Sequence, residues 1–346
     1  MRSDTLLAAL PDLSARIMRD ALVNDYQISW ERFCNHHRIR ALHRNGAELL
    51  AEEELHLQAA FAEATGHGPN LWFGMGLRYR SMKYGAIGLA MMTARTLAEA
   101  LKVACRFQEL TYSLITYRLE IAPNGSMALI GEGAGVPADL LNFSLYRDLG
   151  AIRTLIADLT GGVLPLEKVA VAAPPAPGFE GVRKHLPCPV EFGAARTQWQ
   201  FLPGTAGMPL PLADGELMTL YSTKCEGLLK NARANAPLSQ RLSALLDISP
   251  DRSPCAGEVA ERFALSERTL HRRLSEEGTR FSALVDKARY RRACQLLADR
   301  TMSVEAIAFT MGFAEPSSFS RAFKRWSGMG SLEYRRKLQA GGTGLN

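Results

Sequence analysis

Cysteine is scarce and scattered: six in 346 residues, with no Cys-x-x-C pair and no Cys/His cluster at zinc spacing. A disulfide scaffold and a zinc module are thereby excluded. With no secretory leader in view, reduced thiols in a cytoplasm are expected. Long apolar runs are missing as well, none approaching the roughly 20 residues that span a bilayer. There is no phosphate-cradling glycine loop, no Gly-x-Ser-x-Gly and no His-Glu-x-x-His. The signatures of nucleotide-binding loops, α/β-hydrolases and zinc proteases are therefore absent, and neither an enzyme nor a cofactor or metal is expected. Excess charge is lacking from most of the chain: residues 1–250 carry 24 basic and 24 acidic side chains. The whole net charge of +6 lies in residues 251–346, with 17 basic and 11 acidic. Only that part is electrostatically suited to a polyanion. At 47% hydrophobic and 22% charged, the chain has material for a large core and for two domains.

What the C-terminal part does contain is one pattern written twice. Glu258–Leu265 followed by Ser266–Leu274 matches Ala306–Phe313 followed by Ala314–Phe323. The offset is 48 from Ala260 to Ala308, and 49 from Leu270 to Phe319, so the second copy has one residue inserted in the turn. Val259-Ala260 and Ile307-Ala308 allow close helix approach, and Ala264 or Gly312 opens the turn, where glycine readily turns left-handed. Ser266 suits an N-cap, and Pro316 suits a first helical turn. Leu270 with Leu274, and Phe319 with Phe323, form inward stripes at i and i+4. The outward positions Arg268, His271 and Arg272, and Ser317, Ser320 and Arg321, can reach base edges from a helix in a major groove. Thr269, Arg273, Ser318 and Lys324 flank them as phosphate contacts. The pattern is a duplicated helix-turn-helix.

Residues 281–299 form a stiff connecting helix with no internal glycine or proline. Its length, roughly 28 Å at 1.5 Å per residue, is of the order of the separation between successive major-groove faces, about 34 Å. Lys287, Arg289, Arg291 and Arg292 on it are placed for phosphates.

The run Ser303, Ile307-Ala308, Gly312-Phe313, Ser318-Phe319, Arg321, Phe323-Lys324 and Gly328 resembles the signature of the AraC/XylS family of bacterial transcription regulators. So does Thr269-Leu270-x-Arg272-x-Leu274 with Glu277-Gly278-Thr279-x-Phe281 after it. One departure is visible: Gly330-Ser331 stands where the family usually has Thr-Pro before the last short helix, which would loosen that helix.

Toward the N-terminus, helices are expected from about Thr5 to Asp25, over Ala47–Thr65, from Thr96 to about Leu110 behind the capping box Thr96–Glu99, and over Leu140–Leu159. Strands are expected at Thr111–Ile121, Ser126–Glu132, Lys168–Ala173, within Pro187–Ala194, and at Thr197–Phe201, the first two joined by a turn at Pro123-Asn124-Gly125. Tyr84-Gly85-Ala86-x-Gly88, Thr96-Leu97-x-Glu99-Ala100-Leu101 and Cys188-Pro189-Val190-x-Phe192-Gly193-Ala194 are similar to the effector-binding, dimerising domain of the AraC branch that includes ornithine-responsive regulators.

The resulting expectation is an α+β effector and dimerisation domain over residues 5–212, a linker helix region over 213–236, and an all-α DNA-binding domain over 237–340. Within the last, the first helix-turn-helix covers about 254–277, the connecting helix about 280–299, and the second helix-turn-helix about 303–327. The resemblance implies a small-molecule effector, promoter DNA and RNA polymerase as partners, a homodimer, and activation of transcription. Arg78, Tyr84 and Tyr112 are the candidate effector residues, among aromatics (Trp72, Phe73, Tyr79, Phe107, Tyr117) that either pack a core or line a pocket. His36-His37 with Cys34, and Cys188, are read as structural. A methyl-accepting repair protein would need a reactive cysteine cluster that the chain lacks. The competing reading is a ligand-independent regulator or architectural DNA binder.

Overall fold

The computed structural model describes residues 12–39, 49, 51–66, 68–122, 125–133, 136–172, 175, 183–194, 196–248, 254–298 and 302–340. The chain divides into two compact units, Met1–Ala234 and Asn235–Asn346.

The first unit opens with four helices, α1 (Leu13–Asp25), α2 (Trp30–His36), α3 (Ala51–Thr65) and α4 (Pro69–Gly76). A 3-10 turn at Ser81–Tyr84 leads to α5 (Ala86–Met92) and α6 (Leu97–Arg106). The Thr96 hydroxyl caps α6 by accepting from the Glu99 N–H. The Glu99 carboxylate reaches instead to the N–H and guanidinium of Arg95, one residue before the position that a capping box would use. Expected helix Thr5–Asp25 is present over Leu13–Asp25, and Thr5–Pro11 lie outside the described residues. Helices α2, α4 and α5 were not anticipated.

A hairpin of β1 (Thr116–Ile121) and β2 (Met127–Glu132) follows, then the long α7 (Ala138–Thr160), β3 (Leu166–Val171), β4 (Val190–Phe192) and β5 (Thr197–Phe201). The sheet order is β1-β2-β5-β3-β4, antiparallel except for the β3–β4 pair. Leu129, Trp199, Val169 and Val190 lie opposite one another in register and are all buried, which gives the sheet one apolar row facing the core. Strand β1 begins five residues later than expected. Residues 111–115 instead form a bend in which the Ser113 hydroxyl bridges to the Ile115 backbone, and Gln108 pins both backbone groups of Tyr117. The expected turn residues Pro123 and Asn124 lie outside the described residues.

Helix α7 organises this unit. Every residue from Phe143 to Ile152 is buried, as expected for a helix wrapped on all sides. It crosses α4 at two glycines: a Cβ on Gly76 would strike the Arg147 carbonyl oxygen, and one on Gly150 the Phe73 carbonyl oxygen. The backbones meet there with no side chain between them. Gly161, left-handed at φ 71°, ends the helix. Helix α8 (Gly215–Asn235), expected as part of a separate linker, packs with this unit almost to its end, tied by the ion pair of Arg233 with Glu109.

The second unit is all helical: α9 (Leu238–Ile248), α10 (Ala256–Arg262), α11 (Glu267–Glu276), α12 (Phe281–Ala298), α13 (Val304–Thr310), α14 (Pro316–Ser327) and α15 (Ser331–Ala340). It has two cores, and α12 serves both. Leu284 joins Val259, Ala260, Leu270 and Leu274, whereas Ala293, Cys294 and Leu297 join Ile307, Ala308, Phe319 and Phe323. The departure at Gly330-Ser331 does not prevent the last helix. Ser331 is buried, the Tyr334 ring meets the Phe323 ring edge-on at 5.3 Å, and Arg335 donates to the Leu297 carbonyl.

Candidate DNA-reading and effector sites

The two helix pairs, α10–α11 and α13–α14, are built alike. Val259-Ala260 and Ile307-Ala308 are fully buried where the helices approach, and the paired stripes Leu270/Leu274 and Phe319/Phe323 face inward. Both turns pass through a left-handed residue, Ala264 at φ 52° and Gly312 at φ 78°. The turn of α10–α11 spans four residues and that of α13–α14 five, which is the inserted residue. Ser266 caps α11 through the Thr269 N–H at 3.2 Å, while α14 starts at Pro316 with no side-chain cap.

The inward stripes leave the polar side chains outside. Arg268, His271, Arg272 and Arg273 on α11 are exposed, as are Ser317, Arg321 and Lys324 on α14; Ser318 and Ser320 are half-buried. The Arg272 guanidinium lies 2.6 Å from Glu276, and that of Arg321 lies 3.3 Å from the Ser318 hydroxyl. His271 stands 3.7 Å from Glu267. These are solvent-facing pairs of little strength, which an incoming phosphate or guanine can replace. The Thr269 hydroxyl is engaged with Ser266 at 2.8 Å, so it is less free for a phosphate than its position suggested. On α12, Lys287 is exposed and Arg289 and Arg292 are half-buried. Arg291, expected beside them, is instead turned to the Ser243 hydroxyl of α9.

In the first unit a cavity of about 90 Å³ opens between α5, α6, β1, β2 and α7. Its walls are largely aliphatic: Ile87 and Met91 from α5, Leu101 and Ala104 from α6, Leu129 from β2, and Ile152, Leu155, Ile156 and Leu159 from α7. One end is polar, lined by Tyr79, Tyr84, Tyr112, Ser113, Tyr117, Arg147 and Asp148. Tyr84 and Tyr112 are thus part of the lining, whereas Arg78 is not: its guanidinium pairs with Asp25 at 2.5 Å. Of the other aromatics, Tyr79 and Tyr117 reach the cavity, and Trp72, Phe73 and Phe107 pack the core.

Sequence reading missed Arg147 and Asp148, which anchor this polar end. Arg147 is 2% exposed and lies over the Phe143 ring at 5.4 Å. Its Nε donates to Asp148 Oδ1 at 2.9 Å and its Nη1 to Gln58 Oε1 at 2.5 Å. Tyr117 and Ser113 donate to Asp148 Oδ2 at 3.1 and 2.6 Å. Behind them Gln58 and Ser14 donate to Glu54 Oε1. Burial pushes the Glu54 carboxyl up, and Ser14, Gln58 and Arg147 pull it partly back. Burial likewise raises the phenols of Tyr79, Tyr84, Tyr112 and Tyr117, keeping them protonated donors. A signal existed: two opposite charges inside the mainly apolar run Leu140–Ile152 cannot both face water on a helix buried all round.

Residues 35–210 match the arabinose-binding domain of AraC transcription regulators, and residues 259–337 match a helix-turn-helix domain family. An uncharacterised HTH-type transcriptional regulator of Mycobacterium tuberculosis is 32% identical over 271 residues, 76% of this chain and 77% of that one. The ornithine utilization regulator of Pseudomonas aeruginosa is 25% identical over 276 residues, 79% and 80% of the two chains. The crystal structure of the transcriptional regulator CdpR from Pseudomonas aeruginosa aligns over 93% of this chain and 97% of that one, at 24% identity and a TM-score of 0.46. The families and relatives are transcription regulators rather than enzymes. With an arabinose-binding-type N-terminal domain and a helix-turn-helix C-terminal domain, the chain belongs to the AraC family of transcription regulators.

Proposed function

We propose that this regulator is a homodimer acting in the cytoplasm, where a small molecule in the N-terminal cavity changes promoter occupancy and contact with RNA polymerase, with activation as the outcome. The observation that carries the reading is the pairing of a cavity with aliphatic walls and polar side chains at one end, in one unit, with a duplicated helix-turn-helix in the other. A ligand acts by favouring one arrangement of an existing equilibrium, so its effect is limited to its differential affinity for the two. Arg268, His271, Arg272, Ser317, Ser320 and Arg321 are assigned to bases. Arg273, Lys287, Arg289, Arg292, Ser318 and Lys324 are assigned to phosphates, with Thr269 a weaker member of that set.

The test is promoter binding and transcription from a reporter with purified protein, with and without small-molecule extracts of the host. Occupancy and transcript yield that change together support effector control. Equal values throughout would move the protein to the ligand-independent class, with its N-terminal unit serving dimerisation alone.

A further inference from the structure

The polar end of the N-terminal cavity is a spent charge pair with one donor left over. Arg147 Nη2 stands 2.9 Å from Asp148 Oδ1, but at an angle that makes no hydrogen bond, and it has no other acceptor among the described residues. A buried guanidinium N–H without an acceptor is costly and rare in folded proteins. Both oxygens of Asp148 are engaged, Oδ1 by Arg147 and Oδ2 by Ser113 and Tyr117. Around this end the walls are aliphatic.

Three ligand chemistries can be separated on these grounds. A sugar would bring more hydroxyls than the few polar side chains of this lining can pair, and the rest would lose water against Ile87, Leu129 and Ile152. An amino acid or polyamine would bring a second buried cation beside Arg147, whose charge Asp148 already balances. A carboxylate would add a second buried anion beside a guanidinium that Asp148 has already neutralised. A neutral acceptor satisfies the free N–H and leaves the charge balanced.

Resting on the effector reading above, we infer that the ligand is a small, mainly apolar, uncharged molecule with one carbonyl-type acceptor (a ketone, ester or amide) that takes the Nη2–H of Arg147. The cavity, about 90 Å³, is somewhat smaller than the roughly 150 Å³ apolar cavity that admits benzene. The ligand is therefore of about that size, admitted by small movements of flexible walls such as Met91, and because Nη2 is sealed from the cavity its acceptor reaches that atom only as the walls around it give way.

Saturation-transfer NMR on the full-length protein with cyclohexanone, cyclohexanecarboxylate, L-arabinose and L-ornithine tests the class. Cyclohexanone is expected to bind best. Arg147→Lys, which keeps the charge beside Asp148 but loses Nη2, weakens it about tenfold. Ala104→Phe, which fills the cavity and leaves the polar pair intact, abolishes binding. Tighter binding of the carboxylate, or binding of arabinose or ornithine that Ala104→Phe removes, overturns the class while the effector reading stands. Failure of all four probes also overturns the class, and Ala104→Phe then decides the reading. Altered reporter transcription in that variant keeps it, and unchanged transcription removes it.

Discussion

Ala264 holds a left-handed backbone at φ 52° where the equivalent turn has Gly312 at φ 78°. For a residue with a Cβ that conformation costs about 1–2 kcal/mol. Ala264→Gly should therefore stabilise the second unit by about 1 kcal/mol, and Gly312→Ala should destabilise it by about as much, both read from urea melts. A destabilising Ala264→Gly would mean that the turn is not strained. Glu54 supplies a second residue-scale test. Its carboxyl is raised by burial, so its contribution to stability is complete at pH below the ordinary carboxylate value and is lost as pH rises through the raised value. Glu54→Gln cannot ionise, so its stability relative to wild type should climb from pH 4 to pH 9. A flat difference would show that Glu54 ionises freely.

At the scale of elements, the crossing of α4 and α7 at Gly76 and Gly150 decides where Arg147 and Asp148 stand. Either glycine replaced by alanine forces the helices apart, because the obstacle is backbone and cannot rotate away. Gly150→Ala should cost about 1–3 kcal/mol and should disturb the cavity at a distance, lowering cyclohexanone binding as well as the melting temperature. A variant with normal stability would show that the crossing has slack. Helix α12 plays the corresponding part in the second unit, since Leu284 enters one core and Leu297 the other. Neither helix pair could bury its stripe as well without it.

At the scale of the whole molecule, charge and pattern divide the labour. The net +6 resides in residues 251–346, and the first unit is neutral. Lys287→Ala should weaken binding to every duplex alike and flatten the dependence of log K on log salt by about one unit. Arg272→Ala or Arg321→Ala should relax preference at one base pair, costing about 1–3 kcal/mol on the cognate site and little elsewhere. Identical behaviour of the three variants in titrations at several salt concentrations would erase the distinction between base and phosphate contacts.

Local patterns determined the two helix pairs of the second unit and the helix between them, but not α9, whose Leu238, Leu242 and Leu246 complete the first core. A helix-turn-helix is built from contacts close along the chain, so Val259-Ala260, Leu270/Leu274 and their partners state their burial by spacing alone. Most strands of the first unit were legible for the same reason, by alternation. Tertiary structure alone decided the cavity. Its walls come from residues spread between Tyr79 and Leu159, and a backbone crossing at two glycines sets its polar end. Arg78 and Arg147 look alike as letters. The fold gave one to Asp25 at a half-exposed ion pair and buried the other among tyrosines, because desolvation depends on what the rest of the chain packs around a side chain.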